Sequence, residues 1–137
     1  MAGILAPGLE HTLETTVTDD MTASHVRLAG TGVLSTHAMM RLIELAAHAC
    51  VQPFLAPGQS TVGTRIEVAH LAATPVGMRV RAVVRLGEVD RRRLRFQAEV
   101  FDELEKVGEG SNDRFIVDLD RSEARLREKM ARWRGGE

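Results

Sequence analysis

Apolar and polar positions alternate without a break from Leu9 to Val17: Leu9, His11, Leu13, Thr15 and Val17 take one face, Glu10, Thr12, Glu14 and Thr16 the other. A period of two over that length predicts a half-buried strand. A polar stretch from Thr18 to Ser24 and a short extended piece follow, and Gly30-Thr31-Gly32 then breaks regular structure. From Thr36 to about Gln52 the period changes. Met39, Leu42, Ile43, Ala46 and Ala49/Cys50 recur at helical spacing, with Ser35 or Thr36 placed to cap the start and Pro53 and Pro57-Gly58 to close it. Most of this helix is apolar or small around its circumference, which predicts burial.

Strands dominate the remainder. Val62, Thr64, Ile66, Val68 and His70 share one face of a long strand, opposite Arg65 and Glu67. After a turn at Pro75-Val76-Gly77, Met78, Val80, Ala82, Val84 and Leu86 alternate with arginines. Beyond a turn around Glu88 to Arg92 come Leu94, Phe96, Ala98 and Val100, and a last strand carries Phe115, Val117 and Leu119. Asp120 can cap a closing helix of about residues 121–134, with Glu123 at its third position and Leu126, Met130 and Trp133 as its apolar stripe. The expected order is strand, long helix, four strands in meander, helix. An antiparallel sheet needs its apolar face covered, and the apolar helix is the one large element able to cover it. The prediction is an α+β domain with the sheet wrapped round one buried helix.

The 137 residues suit one domain, 1–137. With 18 basic and 19 acidic side chains, 44% hydrophobic and 27% charged residues, the chain reads as an ordinary globular protein. Its net charge of −1 gives no electrostatic case for a nucleic-acid partner. No apolar run is long enough to span a bilayer and the N-terminal residues show no positive n-region followed by an apolar h-region, so no membrane partner and a cytoplasmic location are expected. The single cysteine, Cys50, excludes an intrachain disulfide and a cysteine-rich zinc site, and the five scattered histidines offer no metal set. So short a chain has little depth for an enclosed pocket, which favours a site between subunits.

Four polar residues interrupt the first helix on one face: His37, Arg41, Glu44 and His48. On an isolated helix they would be a solvated stripe pairing locally. On a buried helix the stripe must meet water, another subunit or a site, which makes Glu44 a candidate. His70 shares parity with an apolar face; it is either a satisfied core residue or a general base or orienter. Thr36 is either the helix cap or a hydroxyl activated by Glu44 or His70. Gly63 offers strand flexibility or an amide close to a ligand carbonyl. Arg91-Arg92-Arg93 reads as a solvated turn, with phosphate binding as the alternative. His11, His25 and His37 receive no role.

These residues carry a resemblance. Thr36, Glu44, Cys50, Pro57-Gly58, Gly63-Thr64, His70 and Ala72-Ala73-Thr74-Pro75-Val76-Gly77 resemble the hot-dog fold thioesterases, and among them the fluoroacetyl-CoA-specific thioesterase family. The similarity continues through Arg92-Arg93-Leu94 and Gly110-Ser111-Asn112-Asp113-Arg114, and the steps of eight residues from Thr36 to Glu44 and 26 to His70 need no gap. The resemblance implies a homodimer, with tetramers as an option, that hydrolyses an acyl-CoA without a cofactor, CoA being part of the substrate. It implies Thr36, Glu44 and His70 as the catalytic set, with Glu44 and Thr36 on one subunit and His70 approaching from the other. Gly63 and Arg114 are implied as substrate-binding residues, Arg114 near the site and CoA; for Arg114 a surface ion pair is the plainer reading. The connection from the first strand to Thr36 is shorter than in the fluoroacetyl-CoA enzyme. Its stretch Met21 to Ser35 lacks the aromatic residues that lid the acyl pocket there. A more general thioesterase is therefore expected. Two other classes stay open on the same fold: a non-catalytic acyl-CoA binding module, and a hydratase or dehydratase.

Overall fold

The computed structural model describes residues 3–135. Its elements are β1 (Glu10–Thr16), β2 (Thr22–Leu28), β3 (Thr31–Leu34), α1 (Thr36–Val51), β4 (Gln59–His70), β5 (Arg79–Asp90), β6 (Arg93–Asp102), β7 (Lys106–Asp118) and α2 (Leu119–Gly135). Five antiparallel strands form one sheet in the order β1-β5-β6-β7-β4, and β2 and β3 pair separately. The sheet curls round α1, which buries Met39, Leu42, Ile43, Ala46, Ala47, Cys50 and Val51 against Val80, Ala82, Val84, Leu86, Phe96 and Val100. Each fully buried large aliphatic contributes roughly 1.5–3 kcal/mol. The helix can lie this close because β7 carries Gly108 beneath it: a Cβ there would collide with the Met39 thioether. Cys50 belongs to this core, and burial, with a smaller push from Glu10, raises its thiol above the usual range.

The α+β architecture matches expectation, and five details differ from it. The stretch before α1 is a β2–β3 hairpin rather than an extended piece and a break. Its turn places Ala29 and Gly30 at positive φ, the conformation glycine tolerates best. Only β5, β6 and β7 form a meander. β4 leaves α1 on the side of the sheet away from β1 and pairs with β7, from Gln59 opposite Asp118 to His70 opposite Gly108. A register shift between Gly63 and Arg65 changes the parity of β4, so Thr61 faces inward and Val62 is 46% exposed. Towards the end of β7 the buried positions are Asn112, Arg114 and Ile116, while Phe115 is 38% exposed, because the inner face carries a polar cluster there. Finally, α2 starts at Leu119, one residue before the expected cap, and buries none of its residues; Trp133 is 77% exposed.

Candidate active site

The start of α1 settles what Thr36 does locally. Ser35 is the N-cap, its hydroxyl accepting from the Ala38 amide at 3.1 Å. Thr36 is therefore free of that task, and its Oγ1 lies 2.9 Å from Nδ1 of His70 at the end of β4. The other ring nitrogen, Nε2, is buried with no partner among the described residues. An orphaned lone pair costs less than an orphaned N–H, which assigns the neutral ring's proton to Nδ1. Nδ1–H then donates to Thr36 Oγ1 and leaves the threonine's own hydrogen for another acceptor. In this arrangement His70 orients the hydroxyl.

The pair opens on a cavity of 600 Å³ beneath the β2–β3 hairpin, lined among others by His25, Val26, Val33 and His37. His25 and His37 thus stand beside the site although the sequence reading assigns neither a role. Among the described residues no aromatic ring other than those of histidines lines the cavity.

A second polar cluster lies deeper along α1. Glu44, whose side chain is 40% exposed, is 3.4 Å from Arg114 Nη1; its partner is this β7 arginine, and not Arg41 on its own helix. Arg114 is buried. Its Nε and Nη2 donate to the Oγ1 and carbonyl oxygen of Thr61 at 2.9 and 3.1 Å, and Nη1 also donates to Asn112 Oδ1 at 3.2 Å. Asn112 is fully buried and in turn donates to the Arg65 carbonyl at 2.9 Å. Burial pulls the guanidinium pKa down, and the Glu44 carboxylate pushes it back up. Gly63 completes the cluster, since a Cβ there would collide with Glu44 Oε2 and press on Arg114.

The structure therefore places Thr36 with His70, and Glu44 with Arg114 and Gly63. Thr36 and Glu44 are eight residues apart on one straight helix, about 12 Å along its axis. The sequence-based expectation has His70 approach Thr36 and Glu44 from the other subunit; within one chain the Thr36 hydroxyl already meets His70, because the end of β4 lies over the first turn of α1. Arg114 is likewise neither a surface ion pair nor open to solvent. The sequence reading gives Thr61 and Asn112 no role; an arginine buried on an inner strand face needs acceptors nearby, and these two residues supply them.

The family model described as fluoroacetyl-CoA-specific thioesterase (FlK) matches residues 17–120. A fluoroacetyl-CoA thioesterase from Streptantibioticus cattleyicolor is 35% identical over 97 residues, which cover 71% of this chain and 70% of that protein. Among solved structures, a hypothetical protein of Thermus thermophilus described as a thioesterase superfamily member superposes with a TM-score of 0.86. It is 34% identical, and the match covers 98% of this chain and 99% of that one. The fluoroacetyl-CoA thioesterase FlK itself superposes at 0.83 with 29% identity, over 91% of this chain and 97% of that one. With its curled sheet, buried helix and paired polar clusters, this chain belongs to the fluoroacetyl-CoA-specific thioesterase family of hot-dog thioester hydrolases.

Proposed function

We propose that this protein is a homodimeric acyl-CoA thioesterase of broader substrate range than its fluoroacetyl-CoA relative, with each site divided between two copies. The separation of Thr36–His70 from Glu44–Arg114 supports the reading, because within one chain Thr36 meets His70 while Glu44 meets Arg114 instead. A two-fold axis beside the free edge of β4 sets the Thr36–His70 pair of one protomer against Glu44 of its partner. Pairing there also removes the hazard of an uncovered strand of 12 residues.

The chemistry is side-chain chemistry, with no metal or cofactor. The Thr36 hydroxyl, held by His70, donates to the thioester carbonyl and is joined by the Gly63 amide at the bulge. The Glu44 carboxylate, held beside Arg114, attacks that carbon or takes a proton from the water that does. Collapse of the tetrahedral intermediate breaks the C–S bond; the departing thiolate takes the proton that Glu44 removed from water, or, where Glu44 itself attacked, water hydrolyses the resulting mixed anhydride to the free acid and supplies that proton. The cavity under the hairpin receives the acyl group, and its aliphatic and histidine lining admits groups larger than fluoroacetyl. Among the described residues no helix is long and apolar enough to cross a membrane. We place the enzyme in the cytoplasm, with its acyl-CoA substrates and a reduced Cys50.

The test is release of free CoA from a panel of short, medium, aromatic and fluoroacetyl thioesters, run with and without EDTA. Turnover of several members, unaffected by the chelator, is expected. Absence of turnover on every thioester, or hydration of crotonyl-CoA in its place, would overturn the reading.

A further inference from the structure

α2 contributes nothing to the core. None of its residues is buried, and Leu119, Leu126 and Trp133 are 50%, 57% and 77% exposed. The helix is anchored at its start, where the Leu119 amide donates to the Gly58 carbonyl at 2.9 Å and Arg121, Ser122 and Arg125 share a cavity with Phe115 and Val117 of β7. Packing supplies most of the stability of a helix in a folded protein, and α2 has little of it. The Glu123–Arg127 pair one turn apart, at 2.8 Å, is open to water and adds little. The helix therefore lacks a surface that the rest of the chain does not provide.

The side chains of α2 specify the chemistry of that surface. At helical spacing Leu119, Leu126, Met130 and Trp133 fall on one stripe, within an arc of about 60°. Basic side chains border the stripe on both sides, Arg127 and Arg134 along one edge and Lys129 along the other. Over the whole helix six basic side chains stand against three acidic ones, in a chain whose total charge is −1. A second α2 laid on the stripe would set these cations against one another, so a second copy is a poor occupant. An apolar stripe bordered by long cationic side chains suits a bilayer surface. Leucine, methionine and tryptophan enter the acyl boundary, while arginine and lysine reach back to the phosphates. The indole of Trp133 is of the ring type that favours this boundary.

We propose that α2 docks on an anionic lipid surface, with the Leu119–Leu126–Met130–Trp133 stripe in the headgroup boundary and Arg127, Lys129 and Arg134 on lipid phosphates. Lying in the boundary needs no apolar run long enough to cross it. The cytoplasmic leaflet carries anionic lipid, in keeping with a cytoplasmic enzyme. Docking is independent of the chemistry at Thr36 and Glu44.

Trp133 is the only tryptophan of the chain, so its emission reports on α2 alone. The full-length protein is titrated with vesicles of phosphatidylcholine and with vesicles of phosphatidylcholine and phosphatidylglycerol in equal parts. The mixed vesicles should sediment the protein and shift Trp133 emission to the blue, and added salt should weaken both effects. Pure phosphatidylcholine should do neither. R127Q/K129Q/R134Q keeps the stripe and the reporter and should weaken binding about 10²-fold, at about fivefold per charge removed. L126Q/M130Q should melt with the wild type and lose the blue shift. Equal binding to both vesicle types, binding with unshifted emission, or full binding by either variant would overturn the proposal. So would blue-shifted emission without lipid that L126Q/M130Q abolishes as the oligomer becomes smaller, since a second copy then covers the stripe. A shift produced by polyglutamate and not by the mixed vesicles would assign the helix to an acidic protein and overturn it too.

Discussion

Thr36 Oγ1 lies 2.9 Å from His70 Nδ1, although 34 residues of chain separate them, and Ser35 rather than Thr36 caps the helix. The hydroxyl is therefore not needed to start α1. Thr36→Val, which keeps the shape and removes the oxygen, should lower kcat by about 10²-fold, within the range for a positioned proton-transfer or hydrogen-bonding group. Thr36→Ser should retain most of the rate, and both variants should melt with the wild type. A valine variant with full kcat would remove Thr36 from the mechanism.

Gly63 is needed for space. Its backbone is not in the left-handed region, so alanine fits the chain, but the added Cβ would collide with the Glu44 carboxylate. Gly63→Ala should displace that carboxylate and lower kcat by about 10²-fold, the scale of an ångström-sized misplacement. Circular dichroism should stay that of the wild type. Unchanged kcat would show that Glu44 need not stand where this structure puts it.

Glu44 and Arg114 should separate activity from stability. Arg114 is buried and serves Thr61 and Asn112 as well as Glu44, so Arg114→Met leaves several buried acceptors unsatisfied. It should cost about 1–3 kcal/mol per group left without a partner. Glu44 is partly open to water, which can replace its contact to the arginine. Glu44→Gln should abolish turnover while shifting the urea midpoint far less than Arg114→Met does. The opposite order of midpoints would mean that Glu44 holds the fold and Arg114 does not.

What the residue pattern disclosed and what it hid follow from the range of the forces involved. The apolar stripe Met39, Leu42, Ile43, Ala46 and Cys50 identified α1 and its burial, because helical period and core contact are the same fact read at short range. β5 and β6 followed from alternation for the same reason. The parity of β4 and β7 did not, since the shift at Gly63 and the inward arginine answer to partners far away in the chain: Thr61 meets Arg114 across 53 residues. The β2–β3 hairpin was hidden because its polar residues line a cavity rather than a core. Thr36, Glu44 and His70 were legible as a spaced set. Which of them meet within one chain was not, because that depends on where β4 ends over α1.

The outer face of the sheet predicts a dependence on acid. Arg95 holds Asp113 through two hydrogen bonds of 2.8 and 3.0 Å and keeps its carboxyl below the ordinary 3.8. A carboxyl whose pKa is lower folded than unfolded binds more protons in the unfolded chain. Its stabilisation is therefore complete above 3.8 and drains away as pH falls through the folded value. Unfolding free energy by urea should decline as pH drops below about 4, and Asp113→Asn should flatten that decline, leaving the part due to Asp118. Parallel curves for the two proteins would mean that Asp113 contributes no acid sensitivity.

A site divided between copies makes a prediction that a site within one chain cannot. In a Thr36→Val protomer the Glu44 half is intact, and in a Glu44→Gln protomer the Thr36–His70 half is intact. Each homodimer then carries one damaged half in every site and should keep at most about a hundredth of the wild-type rate. When the two variants are unfolded, mixed and refolded together, the mixed dimers hold one site with both halves damaged and one with both intact. Mixing should therefore restore CoA release, and the restored activity should elute at the dimer position and persist on dilution as long as the dimer does. If Thr36, His70 and Glu44 acted within a single chain, every chain in the mixture would still carry a defect and no activity would return.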